Sequence, residues 1–278
     1  PPGSVPQLGQ QVEELGGHLD VDSSLGELDD QQAGGKLKNP LASVGYAVLC
    51  DLAATLGLSL QRLKAFCLAV EAAMTTTNHY HNNLHVADVV QHMHLQTRPG
   101  GPLHDLCTDP LVRLSALLAA LVHDLKHPGC NNGFLVATDH PVVSLYGPES
   151  TNEKMHVALF KLMIDEHQLD FLEPLGASAR AGVIDTVESM VLRTDMAKHK
   201  DLTCRPTPDD KLERLLYGLT LAMKVADLSH ATRSASVHQR FAYRLKDEFY
   251  AQGDCERSCG LAVSSGMDRN ETSHKFAK

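Results

Sequence analysis

Residues 78–88 read NHYHNNLHVAD, with histidine at 79, 81 and 85 and aspartate at 88. Imidazoles and carboxylates ligate divalent metals and move protons near neutral pH. On a helix His81, His85 and Asp88 would stand at i, i+4 and i+7 and share one face, so two imidazoles could address one pocket. Taken alone, the stretch fits a solvated polar face as well. His123-Asp124 closes an apolar run just before His-Pro-Gly, where buried polar side chains need partners. An adjacent His and Asp can serve two metals, because a carboxylate has a second oxygen to offer; His127 follows about one turn later. Asp227 closes another apolar run in KVADLSH, residues 224–230, where a lone buried carboxylate would be costly and a metal would neutralise it. Glu153 with His156, and Thr194 with Asp195, are further polar pairs. His85, His123, Asp124 and Asp227 together form a candidate shell of mixed nitrogen and oxygen donors, which suits zinc, manganese or iron. A second ion on Asp124, held mostly by water, suits magnesium. Such a pair clamps a phosphoryl group and supplies hydroxide at neutral pH.

Helices must bring these residues together. Leu63, Phe66, Cys67 and Val70 follow i, i+3, i+4, i+7 spacing, and Leu111, Leu114, Leu118, Leu121 and Leu125 repeat the pattern until Pro128-Gly129. Val183, Ile184, Val187, Met190 and Val191 mark another helix, as do Leu212, Leu215, Leu216, Leu219 and Met223. A last one runs from about Val237 to Tyr250, with Phe241, Leu245 and Phe249 inward, and is expected to end near Gln252-Gly253. Alternating β-branched runs are absent from the sequence. The expectation is an all-α, compact multi-helix domain over 41–278, with loops at RPGGP (98–102) and CRPTPDD (204–210). Residues 1–40, rich in Gly, Pro, Gln, Asp and Ser, read as a linker or loosely ordered arm.

Composition narrows the classes. The 278 residues suffice for a sizeable core. A net charge of -9 argues against a nucleic acid polymer as partner, since such footprints are basic. The apolar run LSALLAALV is nine residues long, far short of a membrane span. Neither G-x-S-x-G nor a P-loop occurs. Seven scattered cysteines without a C-x-x-C, and no secretory signal at the start, point to reduced thiols and a cytoplasmic, intracellular setting. Histidine is the outlier, with 16 in the chain.

YHNNLHVADV (80–89), HDLKHPGCNNGF (123–134), RTDMAKH (193–199), ADLS (226–229) and DEFYAQGD (247–254) occur in this order. In order and spacing, residues 42–278 resemble the catalytic domain of the class I 3',5'-cyclic nucleotide phosphodiesterases, within the HD-domain metal phosphohydrolases. The resemblance implies an all-α domain that hydrolyses cyclic AMP and/or cyclic GMP to the 5'-monophosphates. It implies zinc on His85, His123, Asp124 and Asp227, with Asp124 also reaching a second ion, magnesium or manganese. His81 would be the general acid toward the departing 3' oxygen, and a metal-bridging hydroxide the nucleophile. His127, Glu153 and Thr194 would hold waters on the second ion or orient the acid. Tyr80, His230 and Leu245 would meet the substrate.

The sequence departs from the family pattern at several places. His230 stands where asparagine is usual, Lys224 where histidine is usual, and Met155-His156 where two histidines are usual. Phe241 stands where a tryptophan is usual, and the chain has no Trp. The family's purine-binding glutamine and stacking phenylalanine are not found before the closing SHKFAK, so C-terminal helices are expected to be missing. An upstream regulatory domain or a homodimer would fit the N-terminal arm. A different HD-type phosphohydrolase, or a catalytically impaired regulatory or structural domain in a larger assembly, are the competing functions.

Overall fold

The structure is a computed structural model that describes residues 38–204 and 206–271. The arm expected over 1–40 lies outside them except for its last three residues, and SHKFAK lies outside as well. Among the described residues there are eleven α-helices and no strand. In chain order these are α1 (Pro40–Thr55), α2 (Leu60–Ala73), α3 (Asn83–Thr97), α4 (Pro110–Val122), α5 (Asn132–Ala137), α6 (Pro141–Tyr146), α7 (Thr151–Asp165), α8 (Ala177–Val191), α9 (His199–Cys204), α10 (Lys211–Asp227) and α11 (Ala235–Ser258). A 3-10 turn, Ser229–Thr232, joins α10 to α11. The all-α expectation holds.

The run LSALLAALV is the second half of α4, and all nine of its residues are buried. A helix apolar on every side belongs at the centre of a fold. Accordingly α3 and α8 pack on α4, with α1 against α2 and α3, and α10 against α3. Local chemistry sets where α4 begins. Asp109 caps it by accepting from the Leu111 N–H at 2.8 Å, and Pro110 takes the first turn, where its missing N–H is harmless. Phe66 of α2 lies 6.3 Å from Phe160 of α7 and 5.2 Å from Phe171, closing the far end of the core.

The structure differs from the periodicity in three places. Leu212, in the first turn of α10, is 64% exposed; the buried face of that helix begins at Leu219. α3 starts at Asn83, so His81 precedes the helix rather than lying on it. Asn82 is the cap and accepts from the Leu84 and His85 N–H groups. α11 does not stop at Gly253 but runs on to Ser258. A Cβ at 253 would sit 2.0 Å from the Met267 carbonyl oxygen, so glycine here admits a close-packed backbone rather than ending the helix.

Candidate active site

His85 rises from the first turn of α3, His123 caps the C-terminus of α4, Asp124 follows it, and Asp227 is the last residue of α10. Three core helices thus deliver their ends to one point. His85 Nε2 lies 3.4 Å from Asp124 Oδ2 and 3.2 Å from Asp227 Oδ1; His123 Nε2 lies 3.3 and 3.6 Å from the same two oxygens. These contacts are not aligned as hydrogen bonds: His85 Nε2, His123 Nε2 and Asp124 Oδ2 are buried without a hydrogen-bond partner. Each orphaned group costs about 1–3 kcal/mol, so three facing one another call for a shared ligand. Donors about 2.0–2.1 Å from a tetrahedral zinc stand about 3.3–3.4 Å apart, close to the spacing seen. The donor set fits a divalent metal.

Outer contacts fix the orientation of these rings. His123 Nδ1 sits 2.9 Å from the Ala120 carbonyl, which makes Nδ1 the donor and leaves the Nε2 lone pair facing the shared point. Burial opposes charge on His85, but Asp124 and Asp227 outweigh it and raise its pKa to about 9. For Asp227 burial pulls upward, yet His123 and His85 hold the carboxylate below its usual range. Asp88, placed by its spacing on the face of His85, accepts from the Ser229 hydroxyl at 3.1 Å and from Arg233. It ties α3 to the 3-10 turn after α10.

Asp124, His127 and His156 form a second cluster next to the first. His127 Nδ1 accepts the Gly129 N–H at 3.0 Å, so in the neutral ring Nε2 carries the proton. Burial first, then His81, pushes its pKa well down and keeps the ring neutral. His156 is the reverse tautomer. Its Nδ1 lies 2.6 Å from the Leu125 carbonyl, and its Nε2 lone pair faces Asp124 Oδ1 at 3.8 Å. Burial lowers the pKa of His156 to about 4. Beside them, the Glu153 carboxylate accepts from Asn132 at 3.0 Å and is pushed up by burial. The Thr194 hydroxyl donates to the Val191 carbonyl at 2.8 Å, leaving its oxygen to accept. Lys224, where the resemblance gives histidine, is 3% exposed, with its ammonium on the Thr194 carbonyl and 3.4 Å from Met196 Sδ.

His81 hangs over the cleft in a turn stapled by Asn78, which donates to the His81 carbonyl at 2.8 Å and the His127 carbonyl at 2.7 Å. Gly129 (φ 76°) makes room for that staple, since a Cβ there would sit 2.7 Å from Asn78 Oδ1. Glu248 of α11 grips the same turn. Its Oε2 accepts the N–H groups of Tyr80 (2.8 Å) and His81 (3.0 Å), and its Oε1 meets His81 Nδ1. Burial raises the Glu248 pKa, but His81 and the two backbone donors hold it below the ordinary value. His81 Nε2 is thereby left for the cleft.

These groups line one cavity of about 570 Å³. Tyr80, His81, Asp124, His127, Glu153, Thr194, Asp227, His230 and Leu245 border it, while His85 and His123 stand behind Asp124 and Asp227. The structure therefore brings every candidate residue to one place. Two were missed. Glu248 was legible as an acid on the inward face of α11, seven residues after Phe241, and His156 as the survivor of a histidine pair.

A family model described as 3'5'-cyclic nucleotide phosphodiesterase matches residues 80–278. A probable 3',5'-cyclic-AMP phosphodiesterase of Caenorhabditis elegans is 33% identical over 69% of this chain and 30% of its own length. The mouse 3',5'-cyclic-AMP phosphodiesterase 4C is 31% identical over 98% of this chain and 42% of its own. The mouse dual specificity calcium/calmodulin-dependent 3',5'-cyclic nucleotide phosphodiesterase 1B is 36% identical over 70% and 37%. The chain thus spans less than half the length of these curated relatives. A solved structure described as LmjPDEB1 in complex with IBMX superposes with a TM-score of 0.86 at 29% identity, covering 99% of this chain and 85% of that one.

Proposed function

The chain belongs to the 3',5'-cyclic nucleotide phosphodiesterase family, and from that premise we propose that it hydrolyses cyclic AMP and/or cyclic GMP to the 5'-monophosphates. The convergence of four metal-type donors at 3.2–3.6 Å carries the proposal. His85, His123, Asp124 and Asp227 would hold zinc, and the far oxygen of Asp124, beside His156, would share magnesium or manganese. Ions bound there supply positive charge to the phosphoryl oxygens and acidify water to hydroxide near neutral pH.

The chain's own residues do the rest. Glu248 holds a proton on His81 Nδ1, so that His81 Nε2 can give its proton to O3' as the P–O3' bond breaks. His127 Nε2–H, the Glu153 carboxylate and the Thr194 hydroxyl oxygen hold water in place. Tyr80, Leu245 and His230 line the same cavity, where the base would lie. The seven cysteines are all free thiols, which supports a cytosolic setting. No helix among the described residues is long and apolar enough to cross a membrane.

The test is turnover of both cyclic nucleotides by the purified chain, with metal content measured on the same sample. Hydrolysis abolished by chelation and restored by zinc with magnesium is the expected result. Bound metal at the four-donor site without turnover of either nucleotide would overturn the proposal and favour an impaired regulatory domain.

A further inference from the structure

Lys224 lies on α10, one turn before Asp227, and is buried. Its ammonium rests on the Thr194 carbonyl and 3.4 Å from Met196 Sδ, both neutral partners. Thr194, Asp195, Met196 and Ala197 line the cleft, so Lys224 supports that wall from behind. The carboxylate within this wall, Asp195, is engaged elsewhere: it accepts from the Ser150 hydroxyl at 2.8 Å and from the Ala197 N–H at 2.9 Å. Burial lowers the Lys224 pKa, while Asp227, Asp195, Glu153 and Asp124 pull it the other way. The positive charge is therefore answered by the acids of the site as a group rather than by its own hydrogen-bond partners. A buried ammonium on neutral partners is costly, and an apolar side chain would fill the space without that cost.

We propose that Lys224 is a resident positive charge that weakens the hold of the Asp124–His156 side of the cleft on its divalent ion. When that side is empty, the ammonium offsets the repulsion among Asp124, Glu153 and Asp195. When an ion enters, the same ammonium repels it. Both effects favour the empty state. The four-donor side has two imidazoles and two carboxylates at one point, and these outweigh a cation further off. The second side has one oxygen of Asp124, the His156 lone pair 3.8 Å from it, and water, so a neighbouring charge counts for more there. A divalent ion feels a unit charge twice as strongly as a monovalent one does. At an effective dielectric of about 20, a charge even roughly 10 Å away changes its affinity by tenfold or more.

This inference rests on the two-ion site proposed above. The test is binding of Mn2+ to the zinc-loaded chain without substrate, with free Mn2+ counted by its electron paramagnetic resonance signal and zinc measured on the same samples. Lys224→Gln removes the charge and keeps a donor for the Thr194 carbonyl. Its Kd for Mn2+ should fall by at least about tenfold with zinc content unchanged. Lys224→Met removes charge and donor together and should tighten Mn2+ as well; it decides the matter if the glutamine protein does not fold. Lys224→Arg keeps the charge and should stay within about threefold of the unaltered chain. A Kd in the neutral variants that is unmoved or weaker overturns the inference, and so does an arginine protein as tight as the glutamine one, since charge is then not the cause. Those results defeat this inference alone; a zinc-loaded chain that binds no Mn2+ in any of the four proteins defeats the two-ion reading and this with it.

Discussion

His85 and His123 project from helices whose bodies are the core, and are 2% and 1% exposed. Across the cleft, His230, Leu245 and Phe249 are half-buried and come from the 3-10 turn and α11, with exposed His238 behind them. On the first wall three rings are aimed by backbone partners: Ala120 fixes the His123 ring, Leu125 the His156 ring, and Gly129 the His127 ring. On the second wall His230 is steadied by aromatic rings and by another histidine. Bond-breaking groups tolerate little displacement, so they sit where core packing can hold them. Groups that choose among ligands can sit where side chains still adjust.

Asp227→Ala tests that division most severely. It removes one of four donors and leaves two imidazoles facing a single carboxylate, so metal content and turnover should both fall to background. His81→Ala should keep its metal and lose about 10²–10⁴-fold in kcat, the range for a general acid. Loss of metal in that protein would mean that the acid and the ligands are not separable. Glu248→Gln keeps the shape of the clamp and removes its charge. Its kcat should drop about 10–100-fold, as for other groups that orient a reacting side chain, with metal unchanged.

Proton competition gives a pH test of the metal wall alone. Bound metal needs neutral imidazole, and the carboxylates that face His85 lift its pKa to about 9 against the pull of burial. Apparent metal affinity should therefore rise with pH up to about 9, by up to about tenfold per unit for each proton displaced. Calorimetry in buffers of different ionisation enthalpy counts those protons, and an affinity flat between pH 7 and 9 would refute the assignment of His85. Leu245→Ala should do least. Losing a half-buried apolar contact is worth roughly 1 kcal/mol, or about fivefold in KM, with kcat and metal unchanged.

The proposed metal wall was legible in the sequence because three of its four candidate ligands, His123, Asp124 and Asp227, end apolar runs. Asp124 and Asp227 are charges placed where a helix leaves the core, and chain-local patterning exposes such conflicts. Helix positions were legible for the same reason, since Leu114, Leu118 and Leu121 all reached the core. What escaped depends on contacts distant in sequence. The i, i+4 relation of His81 and His85 assumed a helix, but Asn82 starts α3 after His81. Gly253 looked like a helix stop because its reason, the Met267 backbone, lies 14 residues further on. Glu248 had no visible partner, because the turn it holds is 167 residues earlier.

Glu248 has a consequence for how the molecule becomes competent. The four proposed metal donors lie on or just after α3, α4 and α10, all earlier in the chain than α11. The proposed proton donor is aligned by α11, where Glu248, one of that helix's two buried carboxylates, takes hold of residues 80 and 81. A chain caught before α11 seats would carry its ions without an aligned acid, and the appearance of turnover would report that the last helix has arrived.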